Sequence, residues 1–214
     1  MRNFAVVKLL KSPNGLFYTI AYTTRICRNS TDKSDTGFYD MEFGPSDERM
    51  IRACIDAGHE SIFEHVSFSF EILASRVTQQ QVTRHRMASY MCESSRHVQP
   101  DKFDMVIPSS VFGTKTSSAY QDAVNKAWEA YETLIDHGVP IEDARYILPM
   151  GLGQPFIMTA NLRQWRYMIK ERGCKHAQWE IAQIFREVKR TLEKMSPVLV
   201  YGTNRCQTCG KKCK

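Results

Sequence analysis

No apolar run in this 214-residue chain approaches the about 20 residues a membrane-spanning helix requires, which argues against a helical span. The opening stretch Met1-Arg2-Asn3-Phe4-Ala5-Val6-Val7-Lys8 breaks with a lysine too early for a secretion signal. Internal repeats and low-complexity linkers are missing, so a solenoid or a string of small modules is not expected. A large charge of one sign is missing too: 29 basic against 23 acidic side chains leave +6. That excess is too small for a dedicated nucleic-acid binder, but it suits a protein that holds several anionic ligands. Hydrophobic residues at 43% and charged residues at 24% are ordinary globular values, which excludes bulk disorder. Seven cysteines cannot all pair within one chain, and thiols in the reducing cytoplasm are the default.

Periodicity gives the elements. Residues 3–10 and 17–23 are apolar and β-rich, and Asn14-Gly15 between them predicts an antiparallel hairpin. Residues 28–46 read as a polar loop. Ser46 is placed to cap a helix over about 47–57, which Gly58 ends. Val66 to Ile72 alternates apolar and polar, the pattern of a strand with one buried face. A helix over about 75–84 follows, capped by Ser75, whereas residues 87–115 show no sustained period. Tyr120, Val124, Trp128, Tyr131 and Ile135 form one stripe of a helix over 117–136. A short helix near 141–147 comes next, then one capped by Asn161 that runs to Arg172, then an amphipathic helix over about 176–195. Strands early and helices late predict an α+β fold with one core: a single domain over 1–200 and a Cys-rich tail over 201–214.

The densest chemical signal is Gln79-Gln80-Gln81-Val82-Thr83-Arg84-His85-Arg86, followed by Ser89, Ser94, Ser95, Arg96 and His97. Arginine offers a planar fork of donors to phosphate or carboxylate, and serine hydroxyls complete an anion site. A solvated basic stretch at a helix C-terminus is the plainer reading of Arg-His-Arg alone. His59-Glu60-Ser61-Ile62-Phe63-Glu64-His65 has metal-ligand residue types. Its histidines are six apart, not the four that share a helical face, so a helix-to-strand junction is the expectation. Arg145 and Arg163, bracketed by apolar residues, are plausible inward-facing arginines.

Together these segments resemble the flavin-dependent thymidylate synthase family. Its signature is Arg-His-Arg, seven residues and Ser; here it reads Arg84-His85-Arg86, Met87 to Glu93, then Ser94. The supporting blocks follow in the family's order: His59 to His65, Ala144-Arg145 to Pro149 with Asn161-x-Arg163, and Arg172 followed by His176-Ala177-Gln178-Trp179-Glu180. The resemblance spans roughly residues 20 to 195.

The resemblance implies a homotetramer with shared active sites, a mainly antiparallel sheet and several long helices. It implies methylation of deoxyuridine monophosphate (dUMP) to thymidine monophosphate. The one-carbon donor would be 5,10-methylenetetrahydrofolate, the hydride carrier FAD, and the reductant of the flavin NADPH. It implies no cysteine nucleophile, so Cys92 is not promoted to one. Gln81, Ser94, Ser95, Arg96, Arg145 and Arg172 would bind dUMP, with Arg172 polarising the base and Ser94 holding substrate. Ser61, Glu64, Arg84, His85, Arg86, Met87, Asn161 and Arg163 would contact FAD, and His59 would lie near flavin and folate. Neither membrane nor nucleic acid is an expected partner.

Two departures bear on substrate choice. Many family members carry Asn-Glu-x-Ser-Gly-Arg where this chain has Met91-Cys92-Glu93-Ser94-Ser95-Arg96, and Tyr167 stands where an asparagine commonly meets flavin. Losing one polar partner alters discrimination between hydroxyl patterns. Ribose in place of deoxyribose, and hydroxymethylation in place of methylation, therefore stay open, as does a non-catalytic nucleotide- or nucleic-acid-binding homologue. In the tail, Cys206, Cys209 and Cys213 supply three of the four ligands zinc normally takes. Zinc there and a metal-free, redox-sensitive end both remain open.

Overall fold

The computed structural model describes residues 4–27, 43–100 and 105–204. The chain opens with strand β1 (Val6–Lys11) and helices α1 (Leu16–Cys27) and α2 (Pro45–Asp56), and a 3-10 turn over Glu60–Phe63 leads into β2 (Ser67–Ser75). Helix α3 (Arg76–Val82), strand β3 (Ser89–Cys92), and helices α4 (Ser117–Asp136) and α5 (Ile141–Ala144) follow. Strand β4 (Gly153–Asn161) and helices α6 (Leu162–Arg172) and α7 (Trp179–Met195) close the order, with a 3-10 turn at Pro197–Val200. This is an α+β domain whose antiparallel sheet has the order β1-β2-β4-β3. No described helix is long and apolar enough to cross a membrane.

Within the domain the chain divides into two compact units. Among the described residues, the first comprises 4–8, 71–86, 90–100 and 105–157; the second comprises 9–27, 43–70, 87–89 and 158–204.

In the first unit, α4 buries Val124, Trp128 and Tyr131 against Met105, Ala144, Leu148 and Leu152. The stripe read from the sequence is therefore the one that packs. A Cβ on Gly151 would stand 2.8 Å from the Tyr120 hydroxyl and 2.9 Å from the Val106 carbonyl, so this close approach requires glycine.

In the second unit, α6 and α7 bury Trp165, Met168, Ile184, Phe185, Val188 and Leu192. Trp165 donates to the Phe68 carbonyl at 3.2 Å and meets the edge of Phe70 at 4.9 Å. Arg166 is fully buried in the same unit.

Four expectations need correction. Residues 17–23 belong to helix α1, not to the second arm of a hairpin. Leu16, Ile20, Ala21 and Thr24 are buried at helical spacing, and the Thr24 hydroxyl donates to the Ile20 carbonyl at 2.7 Å. The β-branched content that suggested a strand is thus accommodated by a helix with one buried stripe. Gly15, at φ 64°, lies in the turn before α1, and its carbonyl accepts the Thr19 N–H at 2.8 Å, the opening bond of the helix.

Helix α2 is capped by Gly44 rather than Ser46, with Pro45 at its first position. The buried Asp47 carboxylate reaches back to the Gly44 N–H at 3.0 Å and pairs with Arg25. The helix near 141–147 ends at Ala144, and a 3-10 turn carries the chain over Arg145–Ile147.

Strands are not confined to the early chain. β4 lies between β2 and β3, alternates buried Phe156, Met158 and Ala160 with more open neighbours, and includes Pro155. Proline disguises such a run because it cannot donate to a ladder. Here the Pro155 carbonyl still accepts the Glu93 N–H at 3.1 Å.

Candidate active site

The residues singled out in the sequence fall into two groups, one in each unit. In the first unit, Ser75 caps α3 by accepting the Thr78 N–H at 3.2 Å. The helix carries Gln81 and ends just before Arg84-His85-Arg86. His85 is held by its N–H to the Val82 carbonyl at 3.0 Å. Arg84 and Arg86 are exposed, whereas the His85 side chain is buried. Tyr90 fixes this turn: its hydroxyl lies 2.8 Å from the Val82 carbonyl and 2.9 Å from the His85 carbonyl, one hydrogen shared between two acceptors. Burial, with a smaller contribution from neighbouring Cys92, pushes the Tyr90 phenol up to about 12, so the hydroxyl keeps its proton at any physiological pH.

Strand β3 then delivers Cys92 and the turn Ser94-Ser95-Arg96. The Ser94 oxygen is exposed and accepts the Arg96 N–H at 3.4 Å. Ser95 is buried, and its oxygen accepts from Arg145 Nη1 at 2.9 Å. Glu142 ties the two arginines together. Its carboxylate accepts from Arg96 Nε at 2.9 Å and Nη2 at 2.8 Å, and its backbone carbonyl accepts from Arg145 Nε at 2.9 Å. A guanidinium has five N–H donors, so both arginines retain donors for an anion. The sequence reading missed Glu142 and Tyr90. Glu142 looks like an ordinary acid in a helix's first turn, and Tyr90 lies in a stretch without period.

Cys92 is half-buried, and burial pushes its thiol up, with Gln79 opposing the shift. A thiol held above its ordinary value is a poor source of thiolate at neutral pH.

In the second unit, Asn161 caps α6: its side-chain oxygen accepts the Gln164 N–H at 2.9 Å, leaving the amide's two N–H donors pointing away from that bond. Arg163, the second residue of the helix, pairs with Glu64 and both are exposed, so it is not the inward-facing arginine that its apolar neighbours suggested. Ser61 and His59 are exposed along the Glu60–Phe63 turn, and Met87 is among the most exposed apolar side chains. Arg172 is the last residue of α6 and is half-buried. Arg172 thus belongs to the second unit, while the other nucleotide candidates, Gln81, Ser94, Ser95, Arg96 and Arg145, belong to the first.

Glu60 is not offered to a metal. Its carboxylate accepts from Lys170 Nζ at 2.7 Å and from Arg166 Nη2 at 3.2 Å. Burial raises its carboxyl, but Arg166 and Lys170 outweigh burial and hold it below the usual range. Arg166 also donates to the Leu199 and Tyr201 carbonyls, each at 2.8 Å, and lies over the Phe63 ring. Sequence reading missed this arginine, whose helix position looks like that of a surface residue. Cys206, Cys209 and Cys213 lie outside the described residues, although Tyr201 and Thr203, at the start of the expected tail, are held to the second unit.

The family model "Thymidylate synthase complementing protein" matches residues 8–198. The chain belongs to this family. A family member from Geobacter sulfurreducens, named flavin-dependent thymidylate synthase, is 38% identical over 72% of this chain and 72% of its own. Proteins of the same name from Saccharolobus solfataricus and Clostridium tetani are 33% and 31% identical, each over 90% of this chain and over 74% and 84% of their own. The crystal structure of a UMP/dUMP methylase, PolB from Streptomyces cacaoi, bound with 5-Br dUMP, superposes with a TM-score of 0.78. At 23% identity, over 93% of this chain and 94% of that one, the likeness establishes a shared fold. Membership of the family identifies the protein as an enzyme, a methyltransferase of the flavin-dependent thymidylate synthase type.

Proposed function

We propose that the protein methylates dUMP to thymidine monophosphate, with 5,10-methylenetetrahydrofolate as one-carbon donor, FAD as hydride carrier and NADPH as reductant of the flavin. The observation that carries this reading is the Ser95–Arg145–Glu142–Arg96 cluster, built on the family's own signature. Two guanidinium groups held 2.8–2.9 Å from a shared glutamate still have donors to spare, an arrangement suited to a phosphate monoester. Ser94 and Gln81 would add neutral donors around the same nucleotide. Arg172 would stabilise negative charge on the pyrimidine as it develops, an electrostatic role that is strongest where water is excluded.

The second unit's residues fit a flavin dinucleotide by their chemistry. Arg163 retains donors after pairing with Glu64, the Asn161 amide has donors left after capping α6, and Glu64 has acceptor capacity for ribose hydroxyls. With Ser61, Met87, Arg84, His85 and Arg86, these residues would hold the dinucleotide, and His59 would stand near its ring and the folate. Bound FAD would supply the hydride that completes the methyl group. The family's homotetramer, with active sites shared between subunits, is part of the same proposal, as is a cytoplasmic location.

Cys92 favours a second reading in which the sugar is less strictly selected. A neutral thiol where the family often has a carboxylate accepts hydrogen bonds weakly, so ribose and deoxyribose would be discriminated less sharply. The test is a turnover assay with methylenetetrahydrofolate and NADPH, comparing dUMP with UMP and identifying the methylated or hydroxymethylated product. The expected result is a yellow, FAD-containing protein that forms thymidine monophosphate. A colourless protein that takes up no FAD, or one that modifies neither nucleotide, overturns the proposal.

A further inference from the structure

A basic cavity lies within the second unit, and none of the residues assigned above to nucleotide or flavin lines it. Its volume is about 350 Å³, the lower range of small-molecule sites. The buried Ile169 and Phe185 form apolar wall, and Gly173 and Thr203 also line the cavity. Lys170, Arg186, Lys189 and Arg190 contribute the charge, against Glu193 as the acidic lining residue. Lys170 shares Glu60 with Arg166, and Arg190 pairs with Glu187. Arg186 and Lys189 are different: their described partners are neutral oxygens, the Gly173 carbonyl at 3.1 Å and the Asn204 side-chain oxygen. Neither of them makes an ion pair among the described residues.

Two cations one helical turn apart, each bonded among the described residues only to a neutral oxygen, line a partly apolar cavity. The sequence that continues from Asn204 adds Arg205, Lys211, Lys212 and Lys214 and no acidic side chain.

We propose that this cavity binds a phosphate monoester on a small molecule of mononucleotide size or less, with Arg186 and Lys189 holding the phosphate. Arginine's planar fork matches phosphate oxygens, and lysine supplies a point charge beside it. The site stands apart from the catalytic reading and does not depend on it.

The experiment is calorimetric titration of the protein, saturated with FAD and dUMP, with adenosine monophosphate, inorganic phosphate and adenosine. Adenosine monophosphate is expected to bind while the nucleotide and flavin sites are full, and adenosine is not. Comparable binding of inorganic phosphate would assign the site to free phosphate, the same chemistry from another source. Arg186→Gln with Lys189→Gln should weaken binding about tenfold or more with methylation turnover unchanged. The single variants serve if the double variant is unstable. Absence of binding by both phosphates, loss of binding on saturation with dUMP, or indifference to all the substitutions overturns the proposal. A protein that takes up neither FAD nor dUMP would refute the catalytic reading alone, since the same titrations of wild type and variants still read this cavity.

Discussion

Glu60 Oε1 lies 3.2 Å from Nη2 of the fully buried Arg166, and this pair joins the turn carrying His59 and Ser61 to the body of the second unit. Arg166 supplies the charge, Lys170 shares the carboxylate, and the Leu199 and Tyr201 carbonyls fill other guanidinium donors. A buried cation with its partners in place is tolerated; the same cation without its carboxylate is costly.

Glu60→Gln is therefore expected to destabilise the protein by about 3 kcal/mol, because it leaves Arg166 buried without its counter-charge. Urea unfolding monitored by far-UV circular dichroism measures the change. A loss under about 0.5 kcal/mol would show that the carbonyls alone compensate Arg166.

The same carboxyl links stability to pH. Burial acts to raise it, and Arg166 and Lys170 more than offset that, so the folded-state value lies below the ordinary 4.5. The stabilisation is fully present above that ordinary value and is lost as pH falls from it through the lower folded value. Unfolding free energies across this window should fall less steeply in Glu60→Gln than in wild type. Parallel curves would remove Glu60 as a contributor.

Tyr90→Phe deletes a hydroxyl that bonds the Val82 and His85 carbonyls. The expected cost is about 1 kcal/mol in stability together with weaker FAD binding, because the Arg84-His85-Arg86 turn loses its brace. Equilibrium flavin titration beside thermal unfolding separates the two effects. Unchanged flavin affinity would leave Tyr90 a purely local support.

Arg145→Ala removes the donor to Ser95 and one of the two guanidinium groups on Glu142. The expected result is a rise of about ten- to hundredfold in the KM for dUMP, the loss of a charge-assisted contact. Arg172→Ala should instead abolish methyl transfer while flavin stays bound. Steady-state kinetics and flavin absorbance test both, and retained turnover in Arg172→Ala would refute its assigned role.

Gly151→Ala should cost about 1–3 kcal/mol, since the new methyl meets the Tyr120 hydroxyl at 2.8 Å and the Val106 carbonyl at 2.9 Å. Adding Tyr120→Phe should recover part of the loss by removing one of the two clashes. No recovery in the double variant would place the whole strain on the backbone carbonyl.

The sequence by itself determined the helices with long stripes and clear caps. α4 runs over the predicted residues, α6 starts at Asn161, and α3 starts after Ser75, because caps and 3.6-residue periods are local properties. It also determined the family, because the signature's residue types survive in order. Tertiary structure decided the rest. Residues 17–23 became a helix because one face could be buried, against their β-branched content. β4 took an inner place in the sheet despite Pro155, because the proline carbonyl still finds Glu93. At the site, Arg96 and Arg145 were legible one at a time, but their sharing of Glu142 was not, since 46 residues separate Arg96 from that acid. The opening absence of strong net charge acquires a physical reason in the same way. Arg96, Arg163, Arg166 and Lys170 each meet a carboxylate brought close only by folding, so a chain with modest net charge concentrates its positive potential at a few places.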